Sequence, residues 1–343
     1  MAKKLNKLMA ISQPLFFFLL NIAIIVIFWI SSKMINVGTL QVGQLVAFIE
    51  YLFHAMFSIM LFSMVFVMYP KAQVSANRIM EVLNTEPIIK SPKNGIKDTE
   101  NKGTIEFENV SFTYPNGEEP VIKDVSFSGK KGEVIAFIGS TGSGKSTLIN
   151  LIPRFYDVTK GSIKIDGVDV GDYDLKYLRK KIGFIPQKTL LFTGSIANNI
   201  KFGKKDAEYK EVEDSAKIAQ AYEFISNKPN KFDEIITEGG SNVSGGQKQR
   251  LSIARAIVRK PDIYIFDDSF SALDFKTDAI LRKELRSETK DAIVLIVAQR
   301  IGSIMDADKI IVLNEGEVVG IGTHKELIKN CHIYHEIATS QLT

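Results

Sequence analysis

Gly139-Ser140-Thr141-Gly142-Ser143-Gly144-Lys145-Ser146 is the stretch that decides the fold. Directly before it stands EVIAFI (133–138), whose β-branched and aromatic residues suit a buried strand. Directly after it, Thr147, Leu148, Ile149 and Asn150 open an apolar helix. Strand, G-x-x-x-x-G-K-[ST] and helix in that order specify a phosphate-binding loop, not merely a glycine-rich turn. Glycines let the backbone wrap phosphates, and successive N–H groups with the helix N-terminus form an anion cradle. In it Lys145 would reach the outer phosphates and the Ser146 hydroxyl would ligate Mg²⁺. Residues Gly139, Ser140, Thr141, Gly142, Ser143, Gly144, Lys145, Ser146 and Thr147 are therefore the expected phosphate contacts.

Further along, Ile263 to Phe266 is a continuous apolar strand ending in two acids, Asp267 and Asp268. Such a strand delivers one carboxylate, Asp267, to a metal beside the phosphates. Between loop and acids lies NVSGGQKQR (242–250), followed by LSIARAIV (251–258), an apolar-periodic helix. Ser244, Gly245 and Gly246 thus precede a second helix N-terminus, again an anion site.

With these motifs in order, the sequence resembles the ATP-binding-cassette family. The family signature is usually Leu-Ser-Gly-Gly-Gln; here Val243 takes its first position. The resemblance implies an α/β P-loop NTPase with a helical subdomain, and ATP with Mg²⁺ as cofactors. It also implies two cassettes working together, because the signature helix of one faces the γ-phosphate held by the other. By the same resemblance Ser244, Gly245, Gly246 and Gln247 contact nucleotide across that interface. Tyr114, in FTYP, matches the aromatic residue that stacks on adenine; an ordinary strand aromatic is the other reading. Gln187, in FIPQK, matches the glutamine that senses Mg²⁺ and the attacking water. Ser271 to Asp274 matches the loop through which the two sites communicate, and Gln299 stands where a switch histidine normally sits.

Two departures matter more than these matches. Active cassettes usually carry Glu after the metal acid, to polarise the attacking water; here Asp268 is one methylene shorter. Position 299 is Gln, which can donate a hydrogen bond to phosphate but cannot carry a proton charge. A shift of about 1 Å in a positioning group can cost roughly a hundredfold in rate. Both changes fall on hydrolytic groups (Asp268 and Gln299, with Gln187 the expected catalytic side chains), while the phosphate loop and Asp267 are intact. The pattern resembles heterodimeric bacterial exporters with one degenerate and one competent site. It implies a second, non-identical exporter half as partner.

The other end of the chain is apolar. LFFFLLNIAIIVIFWI (15–30) holds no charge and a single amide, Asn21, and extended to Ile35 it approaches the ~20 residues that cross a bilayer. Leu40 to Tyr69 is a longer run, interrupted by Glu50 and His54. Those two lie on one helix face, where they either contact a transported solute or pair near the outer headgroups. A signal peptide fits poorly, since its apolar core usually spans about 7–15 residues and ends at a small-residue cleavage site. Residues 1–70 carry Lys3, Lys4, Lys7 and Lys33 against Glu50, net +3 of the whole chain's +4. The basic excess therefore flanks apolar spans, which argues against a nucleic-acid partner and for a lipid bilayer. Lys3, Lys4 and Lys7 before the first span, with Lys71 and Arg78 after the second, place both ends and the nucleotide domain in the cytoplasm of a multi-pass plasma-membrane protein.

The 343 residues thus divide into a helical transmembrane hairpin (1–85), a Pro/Gly/Asn/Lys-rich linker (86–103) and the cassette (104–343). One cysteine, Cys331, excludes an intrachain disulfide. The tail KIIVLNEGEVVGIGTHKELI (309–328) reads as two strands about an Asn-Glu-Gly turn, then a helix with His324 as a polar contact at its entry. An exporter half of the family has six membrane helices where two are found here, which implies a C-terminal fragment; a short subunit with a separate membrane protein is the rival. The expected activity is ATP-driven export of a small amphiphilic solute, drug or lipid-like. Alternatives are peptide export, a non-transport ATPase of soluble type, and an ATP-binding clamp with essentially no hydrolysis.

Overall fold

The structure, a computed structural model, describes residues 2–99 and 103–342. Residues 100–102, part of the expected linker, lie outside the described residues. The chain divides into two compact units, Met1–Pro87 and Ile88–Thr343.

The first unit is a helical hairpin, Ala2–Asn36 and Val42–Leu83. The stretches Pro14–Asn36 and Val42–Leu83 are long and apolar enough to cross a membrane. Three of their polar side chains bond to carbonyls one turn back in their own helix, an arrangement that suits hydrocarbon. Asn21 Nδ2 donates to the Phe17 carbonyl at 2.8 Å, and Ser58 and Ser63 donate to the carbonyls of His54 and Ile59. Leu20, Ser31 and Leu45 are buried, whereas Phe18, Trp29, Phe62 and Phe66 are each more than 60% exposed. Glu50 and His54 are likewise exposed. The second helix runs unbroken through Pro70, although proline removes one backbone bond from the ladder. At 1.5 Å per residue its 42 residues span about 63 Å, roughly twice a hydrocarbon core of about 30 Å.

The second unit is layered. Its centre is a six-stranded sheet in the order Glu317–Gly322, Lys309–Asn314, Val134–Ile138, Ile293–Val297, Ile263–Asp267, Ile182–Ile185. All neighbours are parallel except the first pair, which turns about Glu315 and Gly316 as its Asn-Glu-Gly sequence predicts. The central strands are buried on both faces, which explains their unbroken apolar runs. Ala136, Ile138, Phe266, Val294 and Ile296 face one core cluster, which includes the helices of the 196–257 subdomain. Ile135, Phe137, Ile265 and Leu295 alternate onto a second cluster, beneath an antiparallel sheet ordered Ile122–Lys130, Thr104–Phe112, Lys160–Ile165, Val168–Asp169.

Register fixes where function can sit. Val297 pairs with both Asp267 and Phe137, and Ile185 with Phe266. The segments after Ile138, Ile185, Phe266 and Val297 therefore leave the sheet at one edge. In open α/β sheets the crevice beyond the carboxyl ends of parallel strands is where ligands bind.

Residues 88–99 lie along the cassette. Ile96 N donates to Asp172 O at 2.9 Å and its carbonyl accepts from Asp174 N at 3.1 Å. Ser91 Oγ accepts from Leu175 N and donates to Asp174, and Tyr177 donates to Asp98. Gly95 permits this close approach, since a Cβ there would lie 2.5 Å from Asp174 N.

Candidate active site

The site assembles at the common edge of the parallel strands. A cavity of about 240 Å³ is lined by Thr141, Gly142, Gly144, Lys145, Ser146 and Thr147 of the glycine-rich loop, together with Gln187, Asp267, Asp268 and Gln299. Val121 and Val297 complete its wall. Four segments far apart in sequence thus meet because four parallel strands end there.

The loop between Ile138 and the helix Lys145–Leu151 requires glycine at two positions. Gly144 caps that helix in the left-handed region, φ 94°. A Cβ on Gly139 would lie 2.0 Å from the Leu313 carbonyl, so the loop packs on the neighbouring strand only with no side chain there. Lys145 folds back over the loop, donating to the carbonyls of Gly139 at 2.9 Å and Ser140 at 2.7 Å and to Ser143 Oγ at 3.2 Å. Burial holds its pKa below the usual lysine value, with Asp268 and Asp267 opposing.

Ser146 Oγ donates to Asp267 Oδ1 at 2.9 Å, joining the two side chains expected at a metal. Burial raises the Asp267 pKa, the Ser146 bond opposes it, and neighbouring Asp268 adds to the rise. A hydroxyl and a buried carboxylate form a hard oxygen pair, which suits Mg²⁺ shared with phosphates and water. Lys145 is the cation whose charge acts on that buried carboxylate, and the hydroxyl–carboxylate pair beside it suits a cation bound together with polyphosphate.

Asp268 is the focus of the polar network. Gln187 Nε2 donates to its Oδ2 at 3.1 Å and Gln299 Nε2 donates to the same oxygen at 2.9 Å. Its backbone is held in the left-handed region, φ 45°, while its carbonyl accepts from Ser271 Oγ at 2.9 Å. A non-glycine residue at positive φ is sparsely populated and persists where its surroundings hold it. Burial raises its pKa, opposed first by the bond from Gln187. The completely buried Ser269 donates to the Ile185 carbonyl at 3.0 Å, tying the strand that carries Gln187 to the strand that carries the acids.

Tyr114 lies just past the strand Thr104–Phe112, where Pro115, Asn116 and Gly117 form a turn. Its hydroxyl is 3.0 Å from Thr147 Oγ1, and its ring meets Phe112 and Tyr156 edge to face. This places an aromatic ring beside the glycine-rich loop.

The signature residues lie apart from this cavity, contributing nothing to its lining. Ser244 caps the helix Gly245–Ile257: its Oγ accepts from Gln247 N, and its own N–H donates to Gln247 Oε1 at 3.1 Å. That reciprocal capping box leaves the first-turn N–H groups of Gly245 and Gly246 for an outside acceptor. Ser244 and Gly245 are exposed and Val243 is buried below them. Within one chain the cap is open to solvent. Asp274 has a local task, its side chain accepting from Thr277 N at 3.0 Å as the cap of the helix Phe275–Glu288. His324 Nδ1 lies 2.7 Å from the Tyr334 hydroxyl, a structural contact at a helix entry.

Sequence reading passed over Gln341. Its Nε2 donates to the Gln299 carbonyl at 2.7 Å and its Oε1 accepts from Ile301 N at 2.8 Å. One signal was available: Tyr334, Ala338 and Gln341 share a helix face, and the first two are completely buried.

Residues 122–271 match the family model for ABC transporters. The chain is 42% identical over 335 residues to YfiB, an uncharacterized ABC transporter ATP-binding protein of Bacillus subtilis, covering 98% of this chain and 58% of that protein. It is 38% identical over 304 residues to YgaD of the same organism, a putative multidrug export ATP-binding/permease protein, covering 89% of this chain and 52% of that protein. A solved structure of a bacterial Atm1-family ABC exporter with ATP bound superposes with TM-score 0.79 at 31% identity, covering 89% of this chain and 54% of the exporter chain. The chain therefore spans a little over half the length of these relatives.

Proposed function

We propose that the chain is an ATP-binding half of an asymmetric exporter, an ABC-type cassette behind a membrane hairpin, whose own pocket cleaves ATP slowly. The observation that carries the reading is Asp268, a short carboxylate with one oxygen bonded by both Gln187 and Gln299.

The residues divide the work as follows. The backbone of Gly139 to Gly144 cradles the phosphates, and Lys145 exchanges its carbonyl partners for phosphate oxygens. Tyr114 offers its ring to the adenine. Ser146 and Asp267, with Gln187 beside them, would hold Mg²⁺, which when bound offsets phosphate charge. Asp268, held by two amides on one oxygen, orients the attacking water, but its carboxyl falls one methylene short. Gln299 can steady the γ-phosphate yet cannot take up a proton. Ser244, Gly245, Gly246 and Gln247 serve the pocket of a second, non-identical half. Nucleotide closure of the two cassettes would switch the membrane part between its inward- and outward-facing states.

The relatives of multidrug-export description support a small amphiphile, drug or lipid-like, as cargo. Lysines before the first span, with Lys71 and Arg78 after the second, support a plasma-membrane chain whose cassette is cytoplasmic. Restoring the usual pair, Asp268→Glu with Gln299→His, tests the reading. ATP turnover by the purified full chain should rise by about one to two orders of magnitude with little change in ATP affinity. No gain would place the defect elsewhere.

A further inference from the structure

We propose that Gln341 is a positioning residue for ATP hydrolysis, clasping the backbone on which Gln299 stands; this rests on the ATP-cleaving reading above. The segment at issue is short. Upstream, Ala298 N is bonded to Phe137 O at 3.1 Å, within the reach of the sheet. Downstream, Ile301 is completely buried and begins a tight turn, Ile301–Ser303. Gln299 and Arg300, between these anchors, are exposed.

One side-chain amide spans that gap. Gln341 Nε2 takes the Gln299 carbonyl at 2.7 Å and Gln341 Oε1 takes the Ile301 N–H at 2.8 Å, bracketing Arg300. An amide is the side chain that can donate and accept at once with this spacing. The helix behind it is fixed, because Tyr334 and Ala338 on the same face are completely buried and belong to the core that also contains Ile301. The chain of contacts then runs from the core through Gln341 to the Gln299 backbone. From there the Gln299 side chain reaches Asp268 Oδ2 at 2.9 Å. If the backbone at 299 moves, Asp268 loses one of its two amide donors, and a carboxylate with one donor fewer rotates more freely. Gln341 is itself exposed and fills no core space, so its contribution is orientation.

The test uses the purified full chain in detergent with MgATP. Gln341→Ala should speed hydrogen exchange at the Ile301 amide and lower kcat by about three- to tenfold while leaving KM for ATP unchanged, as expected when a positioning contact is lost remote from the phosphates. In a Gln299→Ala background the same substitution should change turnover no further, because the clasp acts through that side chain. Gln341→Glu keeps the acceptor for Ile301 N–H but loses the donor to the Gln299 carbonyl, and should fall between. An unchanged kcat, or an equal proportional drop with and without Gln299, would overturn the proposal. A chain that fails to bind MgATP would overturn the functional reading, whereas one that binds it without measurable cleavage leaves that reading standing. The clasp is then decided by exchange alone, and an Ile301 amide indifferent to Gln341→Ala would dismiss it.

Discussion

Asp268 combines three unfavourable circumstances: burial, an adjacent acid and a left-handed backbone. Its raised pKa, and that of Asp267, gives the sign of a stability effect. The folded chain holds protons on these carboxyls at pH values where the unfolded chain has released them. Stability contributed below the ordinary aspartate range is therefore lost as pH rises through the raised folded values. Asp268→Asn removes the charge while its amide oxygen still accepts from Gln187 and Gln299. Thermal melts without nucleotide should show a gain on the order of 1 kcal/mol near neutral pH, about 2–4 °C for a domain of this size, and a flatter slope as pH rises above the ordinary aspartate range. ATP cleavage by the variant should fall. A melting point unchanged across that range would mean that the carboxylate costs nothing. The substitutions at 268 and 299 were legible in the sequence as departures from a pattern. Their convergence on one oxygen was not, because residues 81 and 31 positions apart meet only when parallel strands end at one edge. Gln341 was invisible for a similar reason, since nothing in a polar helix residue announces which loop backbone it faces.

At the level of elements, the segment before the cassette is the best case of partial legibility. Its Pro, Gly, Asn and Lys content predicts a stretch without helix or long strand, and residues 88–99 have neither. Its attachment could not be read, since the partners lie at 154–181 in the sequence. The anchor is Asp166, which accepts from Gly103 N at 2.6 Å and Thr104 N at 3.1 Å and pairs with Lys181 at 2.7 Å. Both side chains of that ion pair are at most 5% exposed, and Asp262 joins at 3.3 Å. Burial alone would lower the Lys181 pKa, but Asp166 and Asp262 outweigh it and raise it. Breaking a buried pair strands a charge, so Lys181→Ala should cost about 3–5 kcal/mol in denaturant unfolding of the full chain. Lys123→Ala, which removes an exposed pair to Glu317, should cost less than about 1 kcal/mol. Equal losses would show that the strap is not anchored where the contacts indicate. The signature helix offers a second check. Ser244→Ala removes a cap contributing about 1 kcal/mol, and should leave ATP binding in the chain's own loop intact because that loop shares no lining with the cap.

Across the whole molecule, a hairpin with large exposed apolar side chains adjoins in sequence a cassette whose own large side chains are mostly buried. That contrast was plain in the sequence, because a run such as LFFFLLNIAIIVIFWI is apolar all round and belongs in lipid or among other membrane helices. Alkaline carbonate extraction of membranes should leave the chain in the pellet; release by salt alone would favour a peripheral ATPase. The proposed second pocket belongs to an assembly of two halves. The central claim is that ATP waits at Asp268 while a dissimilar pocket fires, and rapid-quench counting of bound ATP in the purified transporter tests it most directly. The account predicts that about half the bound ATP is cleaved in a fast phase and half stays intact over the same interval, the persistent half residing with this chain's Lys145 loop. Cleavage of all bound ATP in one phase at one rate would contradict it.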